Sequence, residues 1–125
     1  MASGIVIQPN GRILVVGNSA VLHHGPTPFT DTYKIAVARW LSNGALDTSF
    51  DGDGKARYSM TGARDIYGRA IAVQSDNRIV VVGSALVPHP NIPSNIDFIA
   101  MRLNPSGSLD PTFDGDGFQT IGFSD

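Results

Sequence analysis

At 125 residues the chain has the length of one domain, and 42% hydrophobic with 16% charged residues is ordinary globular composition, which argues against disorder. A net charge of −2 without any cluster of lysine or arginine leaves no basic stripe, so no nucleic-acid or anionic-membrane surface is expected. The chain has no cysteine, which excludes disulfides and thiolate metal sites.

Met1-Ala2-Ser3-Gly4 runs into a strand pattern with no basic segment or long apolar run, so no signal peptide is expected. The longest apolar runs are too short to span a bilayer, and a soluble chain is expected. Ile5 to Ile7 is a first short strand, and Gln8-Pro9-Asn10-Gly11 ends it. Asn10-Gly11 predicts a tight hairpin in which both central residues tolerate positive φ. A second strand, Arg12 to Val16, reads Ile-Leu-Val-Val after its arginine, and such an apolar run must be covered on both faces. A proline-rich loop is expected over Asn18 to Tyr33. The third strand, Ile35 to Leu41, carries Arg39 and ends at an Asn43-Gly44 turn. Then comes Leu46-Asp47-Thr48-Ser49-Phe50-Asp51-Gly52-Asp53-Gly54, followed by a more polar, alternating strand, Lys55 to Met60, suited to a half-exposed edge.

The second half of the chain repeats the first. Leu109-Asp110-Pro111-Thr112-Phe113-Asp114-Gly115-Asp116-Gly117 lies 63 residues after its counterpart, and Gln74 to Gly83 lies 66 residues after Gln8 to Gly17. One intervening loop is therefore three residues shorter in the second copy. A period that fills the chain marks a repeat architecture, here residues 1–62 and 63–125 of one structural unit. The second copy predicts a turn at Asp76-Asn77, an apolar strand Ile79 to Val82, a proline-rich loop Ser84 to Ile96 and a third strand Phe98 to Leu103 with Arg102. Its fourth strand is Phe118 to Phe123. No stretch shows a sustained helical period, so the cover for the apolar strands must be other sheets. The fold expected is all-β: two four-stranded antiparallel β-propeller-like blades per chain, completed to a closed ring by oligomerisation.

Three motifs recur in order: Gln-x-x-x-Arg-Ile-x-Val-x-Gly, a third strand leading into x-Gly-x-Leu-Asp, and Phe-x-x-Asp-Gly. In this combination the chain resembles the bacterial delta sixty repeat family. The resemblance covers nearly the whole chain as two copies. It implies a propeller-like β fold in parent proteins that are typically large and often surface-exposed or secreted. It implies no catalytic residue.

Phe-Asp-Gly-Asp-Gly begins like a calcium loop, yet Lys55-Ala56-Arg57 and Phe118-Gln119-Thr120 follow where further ligands are needed, so turn-making is the better reading. Arg39 and Arg102 each precede an Asp-bearing turn, and bidentate pairing with Asp47 and Asp110 is expected. Trp40 is expected in packing. The histidines are His23, His24 and His89, and aligning the loops makes His24 and His89 equivalent. Imidazole suits Zn or another divalent transition metal, with calcium less suited. On the same expected face, the connection from Thr61 to Gly68 brings Arg64, Asp65 and Tyr67, with Asp65 or Asp31 able to orient or accept a proton from a metal-bound water. Two functions follow. The first is a homo-oligomeric binding or scaffold module, a trimer with six blades being favoured, holding a small-molecule ligand or metal on one face. The second is a metal-dependent hydrolase of esters or phosphoesters, with Asp65 and Tyr67 as catalytic groups. No nucleophile elbow, dinucleotide fingerprint or P-loop is present.

Overall fold

The computed structural model describes residues 1–21 and 32–123, except for the side chains of residues 89 and 92–94. Eight strands form two sheets, and there is no helix among the described residues. The first sheet holds β1 (Ala2–Ile7), β2 (Ile13–Val21), β3 (Thr32–Trp40) and β4 (Lys55–Tyr58). The second holds β5 (Asp65–Val73), β6 (Ile79–His89), β7 (Ile92–Leu103) and β8 (Phe118–Ile121). Each sheet is an antiparallel meander in sequence order. A four-stranded antiparallel meander repeated face to back is the blade arrangement of a β-propeller.

The hairpins differ in kind from the tight two-residue turn expected. Gly11 N–H bonds Gln8 O at 2.9 Å and Gln8 N–H bonds Arg12 O at 2.8 Å, with Gly11 alone at positive φ (83°) in that turn. This is a three-residue loop with Pro9 at a position that suits its fixed φ and a left-handed residue closing it. The second copy makes the same bonds, with Asn77 (φ 69°) in the glycine's place.

The proline-rich loop expected over Ser84 to Ile96 is mostly strand. β6 and β7 stay paired out to His89↔Ile92. Proline lacks a donor and is tolerated at bulges. Pro88 falls where the register shifts between Val87 and His89, and Pro93 stands opposite that shift. In the first copy β2 and β3 also continue to Val21↔Thr32. Likewise Asp65 to Gly68, expected in a connection, open β5 and pair with Leu86 to Gly83. The outer strands are shorter than expected, ending at Tyr58 and Ile121.

Cross-strand partners share a face, so Leu14, Val16, Ile35, Val37, Arg39 and Tyr58 form one side of the first sheet. In the second sheet Ile79, Val81, Ile99, Met101, Leu103 and Phe118 form one side. These two sides are buried together as a single core. A Cβ added to Gly68 would stand 2.6 Å from Val16 Cγ2, so only glycine lets β5 lie against the first sheet there.

Candidate functional site

Asp47 begins the repeated loop by clamping it to β3. Arg39 N–H bonds Gly54 O at 2.9 Å, and Asp47 N–H bonds Arg39 O at 2.9 Å, so one residue of β3 holds both ends of the loop. Asp51 (φ 51°), Gly52 (82°) and Gly54 (90°) turn it left-handed. The side chains repeat the clamp: Arg39 Nε donates to Asp47 Oδ2 at 2.7 Å, Arg39 Nη2 donates to Ser49 Oγ at 3.1 Å, and the guanidinium lies 5.0 Å from the Phe50 ring centre. The second copy has the same contacts from Arg102 to Asp110 (2.8 Å), Thr112 (3.2 Å) and Phe113 (5.0 Å). The expected pairs are thus present, but each is made through one Nε–Oδ2 bond rather than two, because Nη2 is taken by the Ser49 or Thr112 hydroxyl.

A second guanidinium that the sequence reading missed joins each carboxylate. Arg12 Nε lies 2.8 Å from Asp47 Oδ2, and Arg78 Nε lies 2.9 Å from Asp110 Oδ2. Neither Nε–H has a hydrogen-bond partner among the described residues, so these contacts are ion pairs without an aligned donor. The signal was available, since Arg12 and Arg78 are repeat-equivalent arginines one residue after the hairpin turn.

The electrostatics follow from this crowding. Burial pushes the Asp47 carboxyl up, but the hydroxyl and N–H of Ser49 and the Arg39 guanidinium outweigh it and leave it below its ordinary value. Asp110 is held down at about 2, first by the Thr112 hydroxyl, against the opposing effect of burial, with Thr112 N–H and Arg102 adding to the depression.

The two blades meet along a seam built on three consecutive carbonyls. The turn after β7 presents Pro105, Ser106 and Gly107. Arg39 Nη1 donates to Pro105 O (2.6 Å), Asp51 N–H to Ser106 O (2.8 Å) and Tyr58 Oη to Gly107 O (2.5 Å). The Phe50 ring packs so closely under Gly107 that an added Cβ would lie 2.9 Å from it. Nearer the inner strands, Ser3 Oγ donates to Gly68 O at 2.5 Å and Gly68 N–H donates to Asn18 Oδ1 at 2.9 Å.

Each blade leaves its other side open. The repeat equivalents of the buried Val16, Ile35 and Tyr58 are Val82, Phe98 and Ile121, which are 44%, 61% and 53% exposed. Val82, Phe98, Ala100 and Ile121 line a shallow apolar cavity of about 500 Å³. On the first sheet the open side carries Ile13, Val15, Ala36, Ala38 and Trp40, half-buried, above Lys55 and Arg57. A cavity of about 520 Å³ there is lined by Val15, Ala36, Ala38, Asp51, Lys55 and Arg57 among others.

Asp65 and Tyr67 lie beside the end of the β2–β3 hairpin. Asp65 is buried and accepts the Tyr33 N–H at 2.8 Å, and Arg64 Nε stands 3.6 Å from it. The Tyr67 ring lies 5.5 Å from that of Tyr33, with the Arg69 guanidinium 5.6 Å over it. Burial, then the Asp65 charge, pushes the Tyr67 hydroxyl up. His23, His24 and Asp31 lie outside the described residues; His89 ends β6 opposite Ile92, and its side chain is also outside them. Among the described residues no group of three His, Cys, Asp or Glu could hold a metal ion. In the Asp-Gly-Asp-Gly loops, Asp53 Oδ1 and Asp116 Oδ1 instead accept the N–H groups of Lys55 and Phe118 at 3.1 and 2.9 Å, closing turns.

The geometry defines a pair of β-propeller blades. A family model described as "Domain of unknown function (DUF5122) beta-propeller" matches residues 74–113, from the β5–β6 turn to Phe113. The match covers about a third of the chain and supports a β-propeller-like repeat. No curated protein matches the chain. Among the described residues, no helix is long and apolar enough to cross a membrane.

Proposed function

We propose that the chain is a binding or scaffold module that works as a closed homo-oligomeric propeller, three copies giving six blades. The observation that carries this reading is the open side of the second blade. Val82, Phe98 and Ile121 are exposed where their counterparts Val16, Ile35 and Tyr58 are buried under a neighbouring blade. Exposed contiguous apolar surface on a folded chain marks an interaction site. Head-to-tail contacts that close on themselves cover every blade without leaving an end. Propellers of about four to eight blades admit two, three or four copies of a two-blade chain, and three is the middle solution. The delta sixty repeat resemblance belongs to this reading as the source of both copies.

The second reading, a metal-dependent hydrolase, draws on histidines whose side chains lie outside the described part of the molecule, and the described part adds nothing to it. Asp65 is committed to the Tyr33 backbone. Sedimentation velocity over about two decades of micromolar concentration tests the proposal. A single species heavier than the 13.2 kDa chain is expected, and a folded 13.2 kDa species throughout would overturn it.

A further inference from the structure

The seam inside the chain is a template whose two halves are each present once more and vacant. The turn after β3 has the same bonds as the turn after β7: Gly44 N–H to Leu41 O and Leu41 N–H to Ala45 O, against Gly107 N–H to Asn104 O and Asn104 N–H to Ser108 O. Both turns close on a left-handed glycine, at φ 90° and 95°. Their surroundings differ. Gly107 is buried under Phe50, whereas Gly44 is exposed and an added Cβ would meet nothing within 4 Å. The receiving half is vacant on the second blade. Phe113 is only half-buried, and neither Arg102 Nη1 nor Asp114 N–H makes a hydrogen bond among the described residues. Arg102 is accordingly 21% exposed where Arg39 is 7%.

We infer that the Ser42-Asn43-Gly44 turn of one copy docks on the Asp110–Asp114 loop of a second copy. Gly44 lies under Phe113 of the neighbour, Arg102 Nη1 takes the Ser42 carbonyl, and Asp114 N–H takes the Asn43 carbonyl. The inference rests on the homo-oligomeric reading and names the contact that makes it. One bond of the template is replaced: Ile121 stands where Tyr58 reaches Gly107, so that position contributes apolar contact. The occupant is a second copy because the complementary turn, already held in the required shape, is part of this chain.

Gly44→Asn in the full chain is the test, with Gly52→Asn as its match. Asparagine tolerates positive φ, as Asn77 does in this protein at 69°. Both glycines are left-handed and open, and Gly52 is open in either blade context, since its equivalent Gly115 also has nothing within 4 Å. Light scattering is expected to show an oligomeric parent, an oligomeric Gly52→Asn, and a folded Gly44→Asn whose association is at least about tenfold weaker. If parent and both variants assemble equally, this contact is wrong while the homo-oligomer stands. If the parent itself is a monomer, both fall. An Asn43→Cys, Asp114→Cys variant of the cysteine-free chain gives a second readout. Oxidation is expected to link separate copies into a covalent oligomer, and cross-linking no greater than in either single-cysteine variant would overturn the inference.

Discussion

Arg39 holds Pro105 of the other repeat at 2.6 Å through Nη1 while its Nε holds Asp47 of its own at 2.7 Å. The clamp within a blade and the seam between blades therefore share one guanidinium, and loosening the first loosens the second. Asp47→Ala leaves Arg39 buried without its carboxylate and is expected to cost about 3 kcal/mol, the lower end for breaking a buried pair because Arg12 brings solvent to this one. In the dissociated chain Asp110→Ala is expected to cost less, because there Arg102 is more exposed and holds no seam carbonyl. Urea unfolding of the two variants against the parent gives the comparison.

Acid should weaken the clamp in a defined window. Asp110 titrates at about 2 in the folded chain against about 3.9 when unfolded. A depressed folded value gives stability that is fully present above about pH 4 and is lost as pH falls towards about 2. Asp47 shifts in the same direction. Melting temperature should therefore fall over this range in the parent and fall less steeply in Asp110→Asn, which has no carboxyl to protonate.

Tyr58 is a seam donor whose hydroxyl stays neutral, because burial, then the nearby Asp51 charge, raises its pKa. Tyr58→Phe removes only the bond to Gly107 O and leaves that carbonyl buried. A loss of about 1 kcal/mol is expected in equilibrium unfolding, with hydrogen exchange rising at Ser106 and Gly107 ahead of the strands.

These contacts were only partly legible in the sequence. The offset of 63 between the two Leu-Asp motifs already paired Arg39 with Asp47 and Arg102 with Asp110, because a repeated arginine before a repeated aspartate has one economical partner. The blade pattern was legible for the same reason. The β6–β7 extension was not, since Pro88, Pro90 and Pro93 read as loop, and nothing local shows that a register shift absorbs Pro88 and Pro93. The seam was invisible too. Nothing in Pro105-Ser106-Gly107 reveals that its carbonyls face Arg39, Asp51 and Tyr58, a relation between distant residues created by stacking one sheet on the other.

Phe98 stands on the open side, 61% exposed, with its ring edge-on to that of Phe123 at 4.8 Å. Phe98→Glu should cost the isolated chain no more than about 1.5 kcal/mol, the worth of the ring contact with Phe123. In the assembly it buries an unpaired charge. A folded, dissociated variant is expected, read by circular dichroism together with light scattering.

Native mass spectrometry of the purified chain tests the central claim most directly, because it counts copies and separates a closed ring from an open stack. The account predicts one dominant species of three copies of the 13.2 kDa chain. A folded species of one copy would contradict it, as would a ladder of lengths, in which blades stack head to tail without closing.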